Sequence, residues 1–334
     1  MSKLADVTTL EEIKDIIAKV VAEKNEKGGV KNVYCLACGG SYASFYPMEY
    51  FLRNEAADLP VHSVSGNEFV HATPKALGEN TVVFAMSLAG GTKETVEAAK
   101  KAKAAGATVI ALCSMHDVPL EEAADYTVIY RIDIGYPVDE QNQIKILALA
   151  VELLNQTEGY EHYDKMVDGL SKISGICAKA IEQVKTSAIK FGEKYKDEPI
   201  IYTMGSGASA RVAYMQAICM FMEMEWVHSS SIHTGEYFHG PFEITDTQTP
   251  FMIFMSEGKT RPLDERALKF LRGYAKKIII VDSKEFGINT IEDEVVEYFN
   301  PILHWALALE YSEGLAKAKK HPLLMRRYMY KVEY

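Results

Sequence analysis

The feature that most restricts the fold of this chain is an alternation. Short runs of β-branched and other apolar residues, bounded by turn residues, are followed repeatedly by segments with helical spacing. In the first half the apolar runs fall at 32–37, 61–64, 81–86, 107–112 and 126–130, and helical patterns lie between them at 42–53, 66–72, 92–105 and 120–124. Strands separated by helices cannot close as tight hairpins. The crossovers make them parallel, and a parallel sheet needs helices on both of its faces. Ahead of the first strand, Ile13, Ile16, Ile17, Val20 and Val21 form one helical stripe over 11–22, which Gly28 and Gly29 close.

The pattern then starts again. A long helix at 140–154 and a polar link at 155–160 end the first half, and a helix-rich stretch follows at 163–195. From Pro199 onward, strands at 200–204, 251–255 and 277–281 alternate with helices at 208–225, 263–274 and 301–312. Each half runs a strand into a glycine turn and then a helix, through Gly39-Gly40-Ser41 in one case and Gly205-Ser206-Gly207 in the other. This reads as a diverged duplication. With 334 residues and 48% hydrophobic content, the chain can fill two ordinary cores. The expected architecture is α/β, two tandem three-layer subdomains with mostly parallel sheets, spanning 1–158 and 159–334.

Charge narrows the partners. A net charge of −10 and a pI near 5.5 leave no basic footprint for a phosphodiester backbone or an anionic bilayer, so nucleic acid and membrane partners are excluded. No apolar run reaches the length of roughly 20 residues that spans a bilayer, and residues 1–10 lack the apolar core of a signal peptide, so a cytoplasmic protein is expected. Five cysteines, an odd count scattered through apolar segments, fit reduced thiols. Cys35 and Cys38 form a C-x-x-C, but no second pair completes a zinc site.

Three strand-to-helix turns are rich in glycine and hydroxyls: Gly39-Gly40-Ser41, the stretch from Ser87 through Gly90 to Thr92, and the stretch from Gly205 to Ser209. A phosphate in such a turn meets exposed backbone amides, the positive end of a helix dipole and hydroxyl donors. Neutral donors suit an acidic protein that must hold a dianion. The other reading is that Ser87 and Thr92 are a turn residue and an N-cap. The second turn is no Walker loop, and the first lacks the full dinucleotide spacing.

The densest chemistry lies between Met220 and Pro241. Glu223 ends a helix whose Val212, Met215, Ile218, Cys219, Met220 and Met222 leave little polar surface, so its carboxyl is expected to have a raised pKa suited to a general base. Alternatively it is a buried glutamate tied to an arginine or a backbone amide. His239 precedes Gly240-Pro241 in a tight turn, and it serves either chemistry or a helix cap. Glu236 reads as a cap, and His228 as a core or supporting residue.

On these residues the chain resembles the sugar isomerase (SIS) family, the phosphosugar-binding fold of the isomerase half of glucosamine 6-phosphate synthase. Ser87, Gly90 and Thr92 match that family's phosphate loop, and Ser41 matches its first-turn serine. Glu223 falls on the glutamate that moves a proton between C1 and C2, and His239 on the histidine that opens the sugar ring. The chain is most similar to the fructosamine 6-phosphate deglycases, such as fructoselysine 6-phosphate deglycase. They share Met-Glu-x-x-Trp-x-His at Met222 to His228, Gly-Glu-x-x-His-Gly-Pro at Gly235 to Pro241, and Arg-Arg-Tyr-x-x-x-Val-Glu-Tyr at Arg326 to Tyr334. Leu88 and Ala89 replace polar loop residues of the synthase. Tyr328 stands near the place of its catalytic lysine, and Lys331 is close but not aligned.

The resemblance implies flavodoxin-like subdomains, no cofactor, no metal, and a homodimer whose active site is shared between subunits. It implies cleavage of a fructosamine (Amadori) 6-phosphate to glucose 6-phosphate and an amine or amino acid. Gly39, Gly40, Ser41, Ser87, Gly90 and Thr92 would hold the phosphate, Glu140 and Tyr328 would be further substrate contacts, and Glu223 and His239 would be catalytic. No glutaminase half is expected, so glutamine is not the ammonia source. A ketose/aldose 6-phosphate isomerase or an ammonia-dependent amino-sugar isomerase would use the same base. A sugar-phosphate sensor of this fold is expected to carry a DNA-binding domain, for which the helix before Val30 is too short.

Overall fold

The computed structural model describes residues 6–132, 137–329 and 331–333, and Tyr334 of the C-terminal pattern lies outside them. The chain forms two compact units, Met1–Leu170 and Ser171–Tyr334. Among the described residues no helix is long and apolar enough to cross a membrane.

The first unit opens with α1 (Leu10–Asn25). Its N-terminus is closed by a reciprocal cap: the Glu12 amide donates to the Thr9 hydroxyl at 3.2 Å, and the Thr9 amide donates to the Glu12 carboxylate at 2.7 Å. There follow β1 (Asn32–Ala37), α2 (Gly39–Ser44), α3 (Tyr46–Glu55), β2 (Val61–Ser65), α4 (Gly66–His71), β3 (Thr81–Met86), α5 (Lys93–Ala104), β4 (Thr108–Cys113), α6 (Pro119–Glu122), β5 (Tyr126–Ile129) and α7 (Asn142–Thr157). The helix expected at 42–53 is thus two helices, because Pro47 sits in the first turn of α3, where its missing N–H costs nothing.

All strand pairings in this unit are parallel, and the order is β2-β1-β3-β4-β5. The chain leaves β1 toward one edge and returns on its other side as β3, so the strand order reverses between β1 and β3. Ligands of open α/β sheets bind outside the carboxyl ends of the strands at this reversal. The turns at Gly39-Gly40-Ser41 and at Ser87 to Thr92 follow those two strands. Every residue of α7 from Asn142 to Leu154 is buried, which explains an apolar pattern on all its faces. It runs three residues past the expected end at 154.

α8 (Tyr163–Tyr195) carries the chain into the second unit, followed by β6 (Tyr202–Gly205), α9 (Ala210–Met215), β7 (Ser231–His233), β8 (Pro250–Met255), α10 (Arg261–Tyr274), β9 (Lys277–Asp282) and α11 (Asn300–Lys319). The sheet order β7-β6-β8-β9 is again parallel and again reverses beside its first strand. The fold class expected from sequence is the one observed. Two local readings change. β7 was not expected, and the single helix expected at 208–225 is a 3-10 turn (Gly207–Ser209), then α9, then a π-helix (Gln216–Met224).

α8 and α11 meet backbone to backbone in the second unit. A Cβ on Gly192 would lie 2.1 Å from the Gly314 carbonyl oxygen, and one on Gly314 would lie 2.2 Å from the Ala188 carbonyl oxygen. Only glycine fits at either position.

Candidate active site

In the first unit the turn after β3 is built around two hydroxyls. Ser87 is buried, and its Oγ lies 2.8 Å from Thr92 Oγ1 and accepts the Thr92 amide at 3.3 Å. Thr92 stands at the N-cap of α5, but its hydroxyl does not cap the helix. The cap-only reading therefore fails for Thr92. Among the described residues, no backbone carbonyl takes the amides of Leu88, Ala89 or Gly91. Gly90 adopts φ +64, and a Cβ there would lie 2.2 Å from Val118 Cγ2, so the position demands glycine on both counts. The turn after β1 has Gly39 at φ +58, and the Ser41 hydroxyl bonds the buried Tyr130.

The third turn is different, and the expectation that it offers phosphate donors is corrected. Ser206 and Ser209 are fully buried. Ser206 Oγ donates to the Thr260 carbonyl at 3.3 Å, and Ser209 Oγ lies 2.8 Å from His304 Nδ1. The other ring nitrogen of His304 meets Ser283 Oγ at 2.8 Å, and burial pushes this imidazole down to about 3, so it stays neutral. These hydroxyls hold the interior of the second unit together.

Glu223 sits in the last turn of the π-helix. This segment is apolar from Ile218 to Met222, and it is anchored at its start by Gln216, whose Nε2 donates to Ser312 Oγ on α11 at 2.9 Å. Glu223 is 28% exposed, and Arg326 Nη2 lies 2.9 Å from its Oε1. Burial pushes the carboxyl above the usual glutamate range, while Arg326 opposes the shift. Both readings of this residue meet here: it has the raised pKa of a base, and it has an arginine partner. Glu225, two residues on, is fully buried, and burial pushes it up to about 9 against the opposing effects of Lys319 and the Ser312 hydroxyl. Sequence reasoning missed it.

His239 lies on the segment that follows β7. That segment is pinned at two points. Thr234 Oγ1 donates to Asp264 Oδ1 at 2.7 Å, and Tyr237 is fully buried among Phe238, Phe242 and Phe270. Asp264 also accepts the Ser256 amide at 3.1 Å, so one carboxylate joins the ends of β7 and β8. Burial raises its pKa to about 6. On either side of Tyr237, Glu236 and His239 are left exposed, their backbones tied by a 3.0 Å bond from the His239 amide to the Glu236 carbonyl. Gly240, at φ +129, turns the chain into Pro241.

Of the expected further contacts, Glu140 is half-buried in a 3-10 turn (Val138–Glu140), and its carbonyl accepts the Arg131 amide at 2.7 Å. Tyr328 is 69% exposed. The segment after α11 instead brings three other residues to the site: Arg326 on Glu223, Arg327 with its guanidinium 4.0 Å from the Trp226 ring centroid, and His321 with its ring 4.3 Å from the same indole. Arg326 and Arg327 belong to the C-terminal pattern, and the sequence alone assigns them no partner in the site. Among the described residues, no group of three or more His, Cys, Asp or Glu is placed to hold a metal ion.

Residues 29–156 match the SIS domain family. The chain is 38% identical over 305 residues to the fructosamine deglycase FrlB of Bacillus subtilis (strain 168), covering 91% of this chain and 93% of that protein. It is 25% identical to the fructoselysine 6-phosphate deglycase of Escherichia coli (strain K12), covering 81% and 78%. A solved structure from Salmonella typhimurium LT2, described as a phosphosugar isomerase, superposes with a TM-score of 0.95 at 42% identity over the full length of both chains.

Proposed function

Since the chain belongs to the SIS-domain family, we propose that it is a deglycase that converts a fructosamine 6-phosphate to glucose 6-phosphate and a free amine or amino acid. The observation that carries this reading is Glu223, a largely buried carboxylate whose basicity is raised by its apolar surroundings. Proton transfer between adjacent carbons needs one base that can take a proton and return it near neutral pH.

In the proposed reaction His239 assists opening of the cyclic ketosamine. Glu223 removes a proton from C1, giving an enaminol, and returns it to C2. The product is the C1 imine of glucose 6-phosphate. Water adds to that imine, and the amine leaves. The phosphate is held by the turn amides and by Ser41, Ser87 and Thr92, with Gly39, Gly40 and Gly90 allowing close approach of the backbone. The protein acts in the cytoplasm as a homodimer, and His239 serves the partner subunit's site.

The direct test is incubation with the 6-phosphates of fructoselysine, fructose-aspartate and glucoselysine. Release of glucose 6-phosphate with an equal amount of amine is expected from at least one. Interconversion of ketose and aldose 6-phosphates without any amine release would replace the deglycase with an isomerase. Ser87→Ala and Thr92→Ala should each weaken 6-phosphate ligands by about 1–3 kcal/mol, the scale of a hydrogen bond to a charged group. Titration calorimetry checks this. An equal loss for the unphosphorylated ketosamine would make both hydroxyls structural.

A further inference from the structure

We propose that Arg326 is a positioning residue for Glu223: it keeps the carboxylate ionised and fixes one of its oxygens, so that proton abstraction at C1 depends on a side chain supplied from beyond α11. The proposal rests on Glu223 being the base.

The geometry is that of a guanidinium held by its own segment and extended to one outside partner. Arg326 is 12% exposed. Its Nη1 donates to the carbonyls of Leu323 at 2.5 Å and Met325 at 3.1 Å, its Nε is buried without a partner, and its Nη2 lies 2.9 Å from Glu223 Oε1. Lys331 Nζ donates to the Arg326 carbonyl, closing the turn behind it. A planar fork clamped in this way presents one fixed donor, and its partner oxygen is fixed with it. The second carboxylate oxygen is left for the substrate.

Charge supports the same role. Burial raises the Glu223 carboxyl, and Arg326 is the group that pulls it back. On the π-helix itself the titratable neighbour is Cys219, whose thiol burial pushes up to about 12 and leaves neutral. Removing the guanidinium therefore leaves burial acting alone, and Glu223 holds its proton to higher pH. The segment that delivers Arg326 has a seat of its own on Trp226, three residues from Glu223, through Arg327 and His321. Trp226 adopts φ +56, a conformation costly for a bulky residue, and it is held there between Glu225 and Val227.

The test is the pH dependence of kcat/KM between pH 5.5 and 9 for the wild type, Arg326→Met and Arg326→Lys. Seating of the segment is followed by Trp226 fluorescence in a Trp305→Phe background. In Arg326→Met the acid limb should move up by about one pH unit or more, the usual effect of losing an adjacent opposite charge. On the acid limb, activity should fall by about tenfold for each unit the limb moves, while activity on the alkaline plateau falls less. Arg326→Lys, which restores the charge without the fork, should return the limb to its wild-type position. An acid limb unchanged in Arg326→Met overturns the proposal, as does a shifted limb that lysine fails to restore. If Arg326→Met perturbs Trp226 emission, the comparison of wild type with Arg326→Lys alone decides, and a limb that is shifted in Arg326→Lys while the segment stays seated overturns the role. A Glu223→Gln chain that keeps turnover removes the base itself, whereas an inactive one alongside an unmoved limb in Arg326→Met removes only the pairing.

Discussion

Replacing Glu223 by glutamine should lower turnover of the fructosamine 6-phosphate by about 10²–10⁴-fold, the range for loss of a general base, with little change in binding of the substrate or of glucose 6-phosphate. The amide has the size and shape of the carboxylate, and its oxygen can still accept the Arg326 donor at the position now 2.9 Å away. It cannot accept the C1 proton. Steady-state release of glucose 6-phosphate and calorimetric binding of the product measure the two effects separately. An unchanged kcat would end the assignment. The same variant tests the shared site. Glu223→Gln chains mixed with His239→Ala chains form heterodimers in which one site carries both lesions and the other carries neither. Random pairing makes about half the dimers mixed, each with one working site, so about a quarter of wild-type activity should return. A mixture that stays inactive after subunit exchange, followed with differently tagged chains, would place both residues in one protomer.

Glu225→Gln should raise stability at pH 7 by about 3 kcal/mol. The free carboxyl of the unfolded chain titrates near 4.5, and in the folded protein burial holds it near 9, with Glu313 adding to the shift and Lys319 opposing it. An acid whose pKa is raised by folding costs nothing below the unfolded value. The cost then grows as pH rises above 4.5, by 1.36 kcal/mol per unit, which over 2.5 units to pH 7 gives the figure above. The wild type should therefore lose stability from pH 5 to pH 8 relative to the variant, and the two should converge toward pH 4.5. Thermal unfolding of both chains across that range measures the difference. Parallel curves would mean that Glu225 is ionised in the folded state.

The first sheet was legible because its inner strands are uninterrupted apolar runs. Thr81–Met86 and Thr108–Cys113 are buried on both faces, and such strands need apolar residues at every position. β7 was not legible. It has three residues, Ser231, Ile232 and His233, of which only Ile232 is buried, so no alternation could develop. The π-helix was hidden for the opposite reason: from Ile218 to Met222 every residue is apolar, and a stretch without polar markers does not report its own period. Within the site, the raised pKa of Glu223 followed from its neighbours in sequence, but the identity of its partner did not. Arg326 lies 103 residues away, and only the fold brings the two together. Likewise Glu223 and Glu225 are indistinguishable in composition. What separates them is that one carboxylate reaches a guanidinium and the other, more deeply buried, does not.

The glycine contact between α8 and α11 gives the C-terminal segment a fixed dimension. Gly314 is locked against the backbone of α8, and Arg326 must arrive at Glu223, so the twelve residues from one to the other act as a ruler with both ends fastened. Adding one residue inside α11 beyond Gly314 would turn everything after it by about 100° and advance it by about 1.5 Å. The guanidinium would then face away from the carboxylate. Between these two points the chain cannot change in length, and Leu315, buried in the interior, and His321, against the Trp226 indole, hold it along the way.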